Sequence, residues 1–275
     1  LPARQPRDRR AAAGPPTALA LRSSATGRRL ATLAMFLGIR RAISLLLLSL
    51  YFWNFLLVAL LGPEDLYACY AALAAVYGVA FVGVAAEWFW ARWFAIGLGQ
   101  FGAFSLLAIP QTGPEPSLLI FGISHVLVAL FLGGEGMAAR YEHSETCAER
   151  YNFQEESLIL MRRAIKSAGM SLPFLILFTL GPRPELLHLA ILGLGVAGVA
   201  GLLRARTWGV LASGTAGALA LADGLGLFGA PTHGYFMNTP SGSLILHGPG
   251  FALLAGLMLL VPVTFARPIA RFLRG

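Results

Sequence analysis

Long apolar stretches recur along this sequence of 275 residues, and they restrict the fold more than any other feature. A helix needs about 20 apolar residues to cross the roughly 30 Å hydrocarbon core of a bilayer. Hydrophobic residues make up 57% of the chain and charged residues only 12%, which indicates that lipid rather than water is the solvent. The sequence therefore predicts an all-α fold, a polytopic bundle of membrane helices.

The lengths of the apolar stretches predict eight membrane spans. They lie at about residues 42–61, 66–86, 92–109, 117–138, 164–180, 186–203, 208–228 and 248–266. If the N-terminus is cytoplasmic, 20 of the 21 Lys and Arg residues fall on the cytoplasmic side, and only Arg183 lies outside. Because positive residues in short loops resist translocation, we expect both termini in the cytoplasm. We expect the plasma (inner) membrane, with an organellar membrane as the alternative.

The chain divides into four predicted segments. Residues 1–34 are a basic tail, rich in Arg, Ala, Pro and Ser, in which we expect disorder. Met35, directly before the first span, is a candidate translation start. Residues 35–139 form a first four-helix repeat, and residues 162–275 form a second one. Residues 140–161 are an acidic cytoplasmic loop with a helical extension, and we expect its carboxylates, including Glu142, to be solvated.

Three landmarks keep their order in the two halves and indicate an internal repeat. Arg-Arg-Ala-Ile opens the first span at residues 40–43 and the fifth at 162–165, and Leu-Gly-Pro closes the same spans at 61–63 and 180–182. A tryptophan then precedes two glycines at identical spacing, Trp93 in the first half and Trp208 in the second. Four spans return the chain to its starting side, so the repeats are predicted to be parallel, with a seam between them where a ligand could bind.

Few polar side chains fall within or near the spans. An ionisable group at membrane depth costs roughly 2.5 to 3.5 kcal/mol on insertion scales, so each needs a structural or a functional reason. The candidate functional positions are His125, Asp223, His247, His233, Glu135, Gln100 and Asn54. The structural alternatives are a hydrogen bond to a neighbouring helix for His125, a cap or pair across the bundle for Asp223, and snorkelling for Glu135.

Four of the five histidines, His125, His188, His233 and His247, map to the outer half or the outer loops. Imidazoles from facing helices could bind a transition metal or haem between the bundles. The histidine spacings match no defined metal or haem motif. We therefore expect no cofactor, no metal and no catalytic residues, and haem or a transition metal is kept as the alternative.

These observations favour a small transporter-like or accessory membrane protein. The expected partners are the lipid bilayer, a small solute or lipid in the seam, and membrane-protein subunits. Nucleic acid is not expected, although the formal net charge is +8, because the arginines are explained by topology. The alternative is a membrane-embedded enzyme, or a haem- or metal-binding redox protein, with its site on the outer side.

Overall fold

The computed structural model describes residues 18–142, 155–180, 185–229, 235–239, 242–246 and 248–265. The chain divides into two compact units, Leu1–Ile39 and Arg40–Gly275. Of the first unit, residues 18–39 are described, and they are helical. The second unit contains all the other elements.

Apart from turns and one hairpin, the described residues are helical. The helices are α1 (Ala18–Leu61), α2 (Tyr67–Ala85), α3 (Ala91–Ala103), α4 (Ile109–Thr112), α5 (Pro116–Phe131), α6 (Glu135–Glu142), α7 (Glu155–Thr179), α8 (Leu186–Leu203), α9 (Thr207–Gly224) and α10 (Gly248–Leu260). Short 3₁₀ segments lie at Glu64–Leu66, Phe104–Ala108 and Val261–Phe265. Strands β1 (Tyr235–Thr239) and β2 (Gly242–Leu246) form an antiparallel hairpin between the last two predicted spans.

Helix α1 begins at Ala18, inside the tail for which disorder is expected from composition. The segment from residue 18 to residue 34 is rich in Ala, Leu and Arg, which have high intrinsic helix propensity. Helix propensity therefore explains why residues 18–34 are helical where disorder was expected. A helix can form there without a long apolar run. Residues 1–17 of the predicted tail lie outside the described residues.

Three helical segments are long and apolar enough to cross a membrane: Met35–Leu61, Glu64–Ala85 and Leu186–Leu203. A fourth candidate is the pair Pro116–Phe131 and Glu135–Glu142, which is bent by 70°. Several apolar helices are therefore compatible with a membrane protein. The bend interrupts the single helix that the sequence predicts at residues 117–138. It falls at Gly133 and Gly134, and Gly134 adopts a φ of 84°, a conformation that favours glycine.

Helix α7 lies at the centre of the packing. It contacts α2 and α3 from the first half of the chain and α8 and α10 from the second. Within the halves, α3 packs on α2 and α5, while α9 packs on α8 and α10. The contact between α3 and α7, here called the α3–α7 seam, joins the two halves.

The turn between α2 and α3 has the same hydrogen bonds as the turn between α8 and α9. The amide of Trp88 donates to the carbonyl of Gly83 at 3.0 Å, and the amide of Arg206 donates to the carbonyl of Gly201 at 2.8 Å. The residue before each donor has a positive φ, 55° at Glu87 and 54° at Ala205. Both turns are Schellman motifs, in which a left-handed residue ends the helix.

The glycine in each turn also packs on the tryptophan that follows. A methyl group on Gly83 would meet the ring of Trp90, and one on Gly201 would meet the ring of Trp208. The two turns therefore correspond with Trp90, not Trp93, opposite Trp208. This register differs by three residues from the one that the tryptophan–glycine spacing gives.

Candidate functional site

Seven charged side chains lie at the helix ends that the sequence predicts to be cytoplasmic, as two ion-pair groups around Glu87 and Glu142 and one arginine, Arg40, on backbone carbonyls. This arginine–glutamate network consists of Arg40, Arg41, Glu87, Arg92, Arg140, Glu142 and Arg162. It joins α1, the α2–α3 turn, α3, α6 and α7. Residues that are distant in the sequence therefore meet at one end of the helices.

Glu142 is the buried centre of the network. Its side chain is 0% exposed, and its carboxylate accepts hydrogen bonds from Arg92, from Trp93 Nε1 at 2.7 Å and from Arg162 Nη2 at 2.5 Å. The expectation that Glu142 is solvated is therefore wrong. Two arginines and an indole N–H supply the hydrogen bonds that a buried carboxylate requires.

Glu87 forms the second, more exposed ion pair of the network. Its carboxylate accepts from Arg140 Nε at 2.9 Å and from Arg140 Nη2 at 2.6 Å, and it also pairs with Arg41 Nη1 at 2.5 Å. The hydrogen bonds from Arg140, together with the positive charge of Arg41, hold the pKa of Glu87 below its usual value. Glu87 thus stays negatively charged between two arginines.

The arginines of the network also bind the carbonyl groups that end two helices. Arg41 Nη2 donates to the carbonyl of Ala85 at 2.6 Å at the end of α2. Arg92 Nε donates to Leu132 at 2.7 Å, and Arg40 Nη2 donates to Gly133 at 2.6 Å, where α5 breaks. A helix C-terminus leaves carbonyls unpaired and carries partial negative charge, so guanidinium groups satisfy both needs.

His125 is the best-connected of the predicted site residues. It is 1% exposed, and its Nε2 lies 2.6 Å from the hydroxyl of Tyr77 on α2. Its Nδ1 lies 2.7 Å from the carbonyl oxygen of Phe121, one turn earlier in α5. A carbonyl only accepts, so in the neutral ring Nδ1 donates and Nε2 accepts from Tyr77. Both ring nitrogens are therefore already paired.

Aromatic rings and one glycine enclose the His125 imidazole. The ring centres of Tyr51 and Phe121 lie 4.3 Å and 4.2 Å from it. The Tyr51 hydroxyl bonds to Ser124, whose own hydroxyl donates to helix α5. A methyl group on Gly102 would collide with the imidazole, so glycine is required for the ring to lie against α3. We call Tyr51, Tyr77, Gly102, Phe121 and His125 the His125 cluster.

Asp223 is paired with a histidine that was predicted only to lie on the same side of the membrane. Its Oδ2 lies 3.2 Å from His188 Nε2, across the contact between α8 and α9. His188 is 3% exposed and packs edge-on against Phe178 of α7. This geometry matches the structural alternative for Asp223, a pair across the bundle.

The other candidate positions are not brought together among the described residues. Asn54 is exposed on α1, Gln100 is half-buried in α3, and Glu135 is exposed at the first turn of α6. His233 and His247 lie outside the described residues. Within the described part of the chain, no group of three or more His, Cys, Asp or Glu side chains is placed to hold a metal ion.

The residues that sequence reasoning missed share one feature, which is a partner far along the chain. Arg92 and Arg162 were interpreted as topology signals, Arg162 also as a landmark of the repeat, and Glu142 was assigned to a solvated loop. Tyr77 carried no signal, because a tyrosine in an apolar stretch resembles a lipid-facing residue. The alternation of acid and base at helix ends is the one pattern that could have indicated the network.

Comparisons with family models, with curated proteins and with solved structures give no match.

Proposed function

We propose that this chain is an eight-span membrane protein with both termini in the cytoplasm, and that it serves as an accessory protein that binds another membrane component. In this proposal it neither carries a solute through its own bundle nor catalyses a reaction. The observation that carries the proposal is the close packing of the α3–α7 seam. Transporters built from repeats hold their substrate at the seam between the repeats, so a closed seam favours a different role.

The seam is filled by helix backbone. A methyl group on Gly97 of α3 would collide with the carbonyl oxygen of Lys166, and one on Gly169 of α7 would collide with the carbonyl oxygen of Phe94. Backbones in van der Waals contact leave no room for a solute between them. Close glycine contacts of this kind stabilise helix pairs in lipid, where no hydrophobic driving force acts between helices.

Two observations support the eight spans, their topology and the repeat. Five of the basic residues assigned to the cytoplasm from the sequence take part in the arginine–glutamate network, as residues on the same side of a membrane can. The matched Schellman turns before α3 and α9 place equivalent glycine–tryptophan contacts in the two halves. Parallel four-helix repeats account for both.

The metal or haem alternative has less support from the geometry of the His125 cluster. Binding through His125 would require release of either Tyr77 or the Phe121 carbonyl from the ring. An imidazole coordinates a metal only through its two nitrogens, and both point at these partners. His125 therefore stabilises the contact of α2 with α5 in the accessory protein that we propose.

The accessibility of the seam to thiol reagents tests the proposal. Cys69 and Cys147 are first replaced by alanine, and cysteine is then introduced by Met170→Cys or Ala168→Cys, next to Gly169. Trp88→Cys, at a side chain that is 47% exposed in the α2–α3 turn, is the control. We expect a membrane-impermeant maleimide to label the control from the cytoplasmic side only and to leave both seam cysteines unlabelled.

The same preparation is used to identify the bound component. We expect a different membrane protein to co-purify in near-stoichiometric amount from native membranes in mild detergent. Labelling of the seam cysteines from both sides of the membrane would favour a carrier and contradict the proposal. A closed seam without any co-purifying protein would contradict the accessory role.

A further inference from the structure

Between Arg41 and Leu61, helix α1 has two faces with different environments. One face packs against other parts of the second unit, to which these residues belong, and its members are buried: Ser44, Leu48, Tyr51, Phe55 and Ala59. The other face is exposed along its length: Leu46, Leu50, Trp53, Leu57 and Leu60 are 52–68% exposed.

Asn54 lies toward one edge of this exposed face, in a stripe with Leu50, Leu57 and Leu61, which is 82% exposed. These four residues follow steps of four, three and four, the spacing of a left-handed helix pair. Asn54 is seven residues from the end of α1 at Leu61, which corresponds to about 10 Å along the helix and places it within the hydrocarbon core. The Asn54 amide has no hydrogen-bond partner among the described residues. An amide that faces lipid loses its hydrogen bonds to water, so a partner on another helix would stabilise it.

We propose that the exposed face of α1 binds the same face of α1 in a second copy of this chain, with the two Asn54 amides hydrogen-bonded to each other. An amide contains both donors and an acceptor, so two copies related by a two-fold axis satisfy each other. Copies inserted with the same topology have parallel α1 helices, which places the two amides at the same depth. A different protein would need its own polar group at that depth.

This inference goes beyond the accessory role and does not depend on it. It requires only that α1 crosses the membrane, which is established separately by protease protection of residues on its two sides. A second copy also leaves the α3–α7 seam unchanged, because the contact uses exposed residues of α1, which are not part of that seam. Failure of the dimer and failure of the accessory role are therefore distinguishable.

Single-molecule photobleaching in liposomes tests the dimer. The wild-type chain is labelled at one fluorophore per copy and diluted in lipid until the dimer fraction falls to one half. We expect Asn54→Leu to weaken dimerisation by about 3- to 30-fold, the range for one interhelical polar contact in lipid. Asn54→Gln keeps the amide and should retain most of the dimer. Thr215→Leu removes an exposed polar group from α9 and is the matched control.

Disulfide cross-linking locates the contact independently. In a chain without Cys69 and Cys147, we expect Leu50→Cys or Leu57→Cys to form a cross-linked dimer under oxidation, and Leu211→Cys, at an α9 position that is 74% exposed, to remain monomeric. Each variant is first shown to match the wild type in thermal unfolding. The proposal fails if the wild type stays monomeric, if Asn54→Leu dimerises as well as the wild type, or if the α9 cysteine cross-links as well as those on α1.

Discussion

Replacement of Glu142 by glutamine tests whether the arginine–glutamate network stabilises the fold through its buried centre. The native carboxylate accepts from Arg92, Trp93 and Arg162, and its side chain is 0% exposed. Glutamine offers one acceptor oxygen and presents an NH₂ group to donors. Because Arg92 and Trp93 share Oε1, a glutamine with its oxygen in that place keeps both buried hydrogen bonds and turns its NH₂ group toward Arg162. Arg92, whose side chain is 8% exposed, then loses its counter-charge.

The cost follows from the burial of each partner. Breaking a buried ion pair by removing one partner costs about 3 to 5 kcal/mol. Arg162 is 41% exposed and regains water, so its share of that cost is small. We therefore expect Glu142→Gln to lower the free energy of unfolding by about 3 kcal/mol, the lower end of that range. The Glu87 side chain is 34% exposed, so Glu87→Gln, the same chemical change, should lower the free energy of unfolding by about 0 to 1 kcal/mol.

Reversible unfolding in mixed lipid–detergent bicelles measures both variants against the wild type. Circular dichroism of the folded variants confirms that helix content is unchanged before unfolding. If Glu142→Gln destabilises the protein no more than Glu87→Gln does, burial of the Glu142 carboxylate does not determine the stability of the network. The same unfolding assay on Arg162→Gln should give a smaller loss than Glu142→Gln.

Three further outcomes are expected. Gly97→Ala should lower the free energy of unfolding by about 1 to 3 kcal/mol because the seam must separate. Gly193→Ala has open space at its methyl position and gains helix propensity, so it should leave the free energy of unfolding unchanged or raise it by up to about 1 kcal/mol; equal losses would contradict the packing argument. Tyr77→Phe leaves the Nε2 of His125 without its donor and should cost about 1 to 3 kcal/mol in the same assay, while an unchanged stability would show that this hydrogen bond is replaceable. Because the pKa of Glu87 is lowered in the folded state, its carboxylate stabilises the fold fully above the ordinary glutamate pKa of about 4.3. This stabilisation is lost as the pH falls through the lower pKa of the folded state. The free energy of unfolding of Glu87→Gln should therefore change less with acidification than that of the wild type.

The helix positions could largely be predicted from the sequence. The sixth predicted span, residues 186–203, coincides with α8, since its apolar run lies between Glu185 and Arg204. The prediction of one continuous helix for the fourth span was wrong. The composition of residues 117–138 fits one long helix as well as it fits two shorter ones. The break at Gly133 and Gly134 depends on arginines from α1 and α3 that bind the freed carbonyl groups.

The candidate site could also be predicted only in part. That His125 needs a polar partner follows from its place in an apolar stretch, but Tyr77 as that partner does not, since 48 residues separate them. Asp223 was predicted to cap or pair across the bundle, and the helix contact that supplies His188 decides between those alternatives.

The sequence by itself determined where helices form and which residues are too polar for lipid, because hydropathy and helix propensity act locally along the chain. Only the tertiary structure decided that Glu142 is buried and that α3 and α7 touch at Gly97 and Gly169. It also decided that the two Schellman turns align Trp90, and not Trp93, with Trp208. These features depend on contacts between helices distant in the sequence, where the fit of backbones and the pairing of charges are set together.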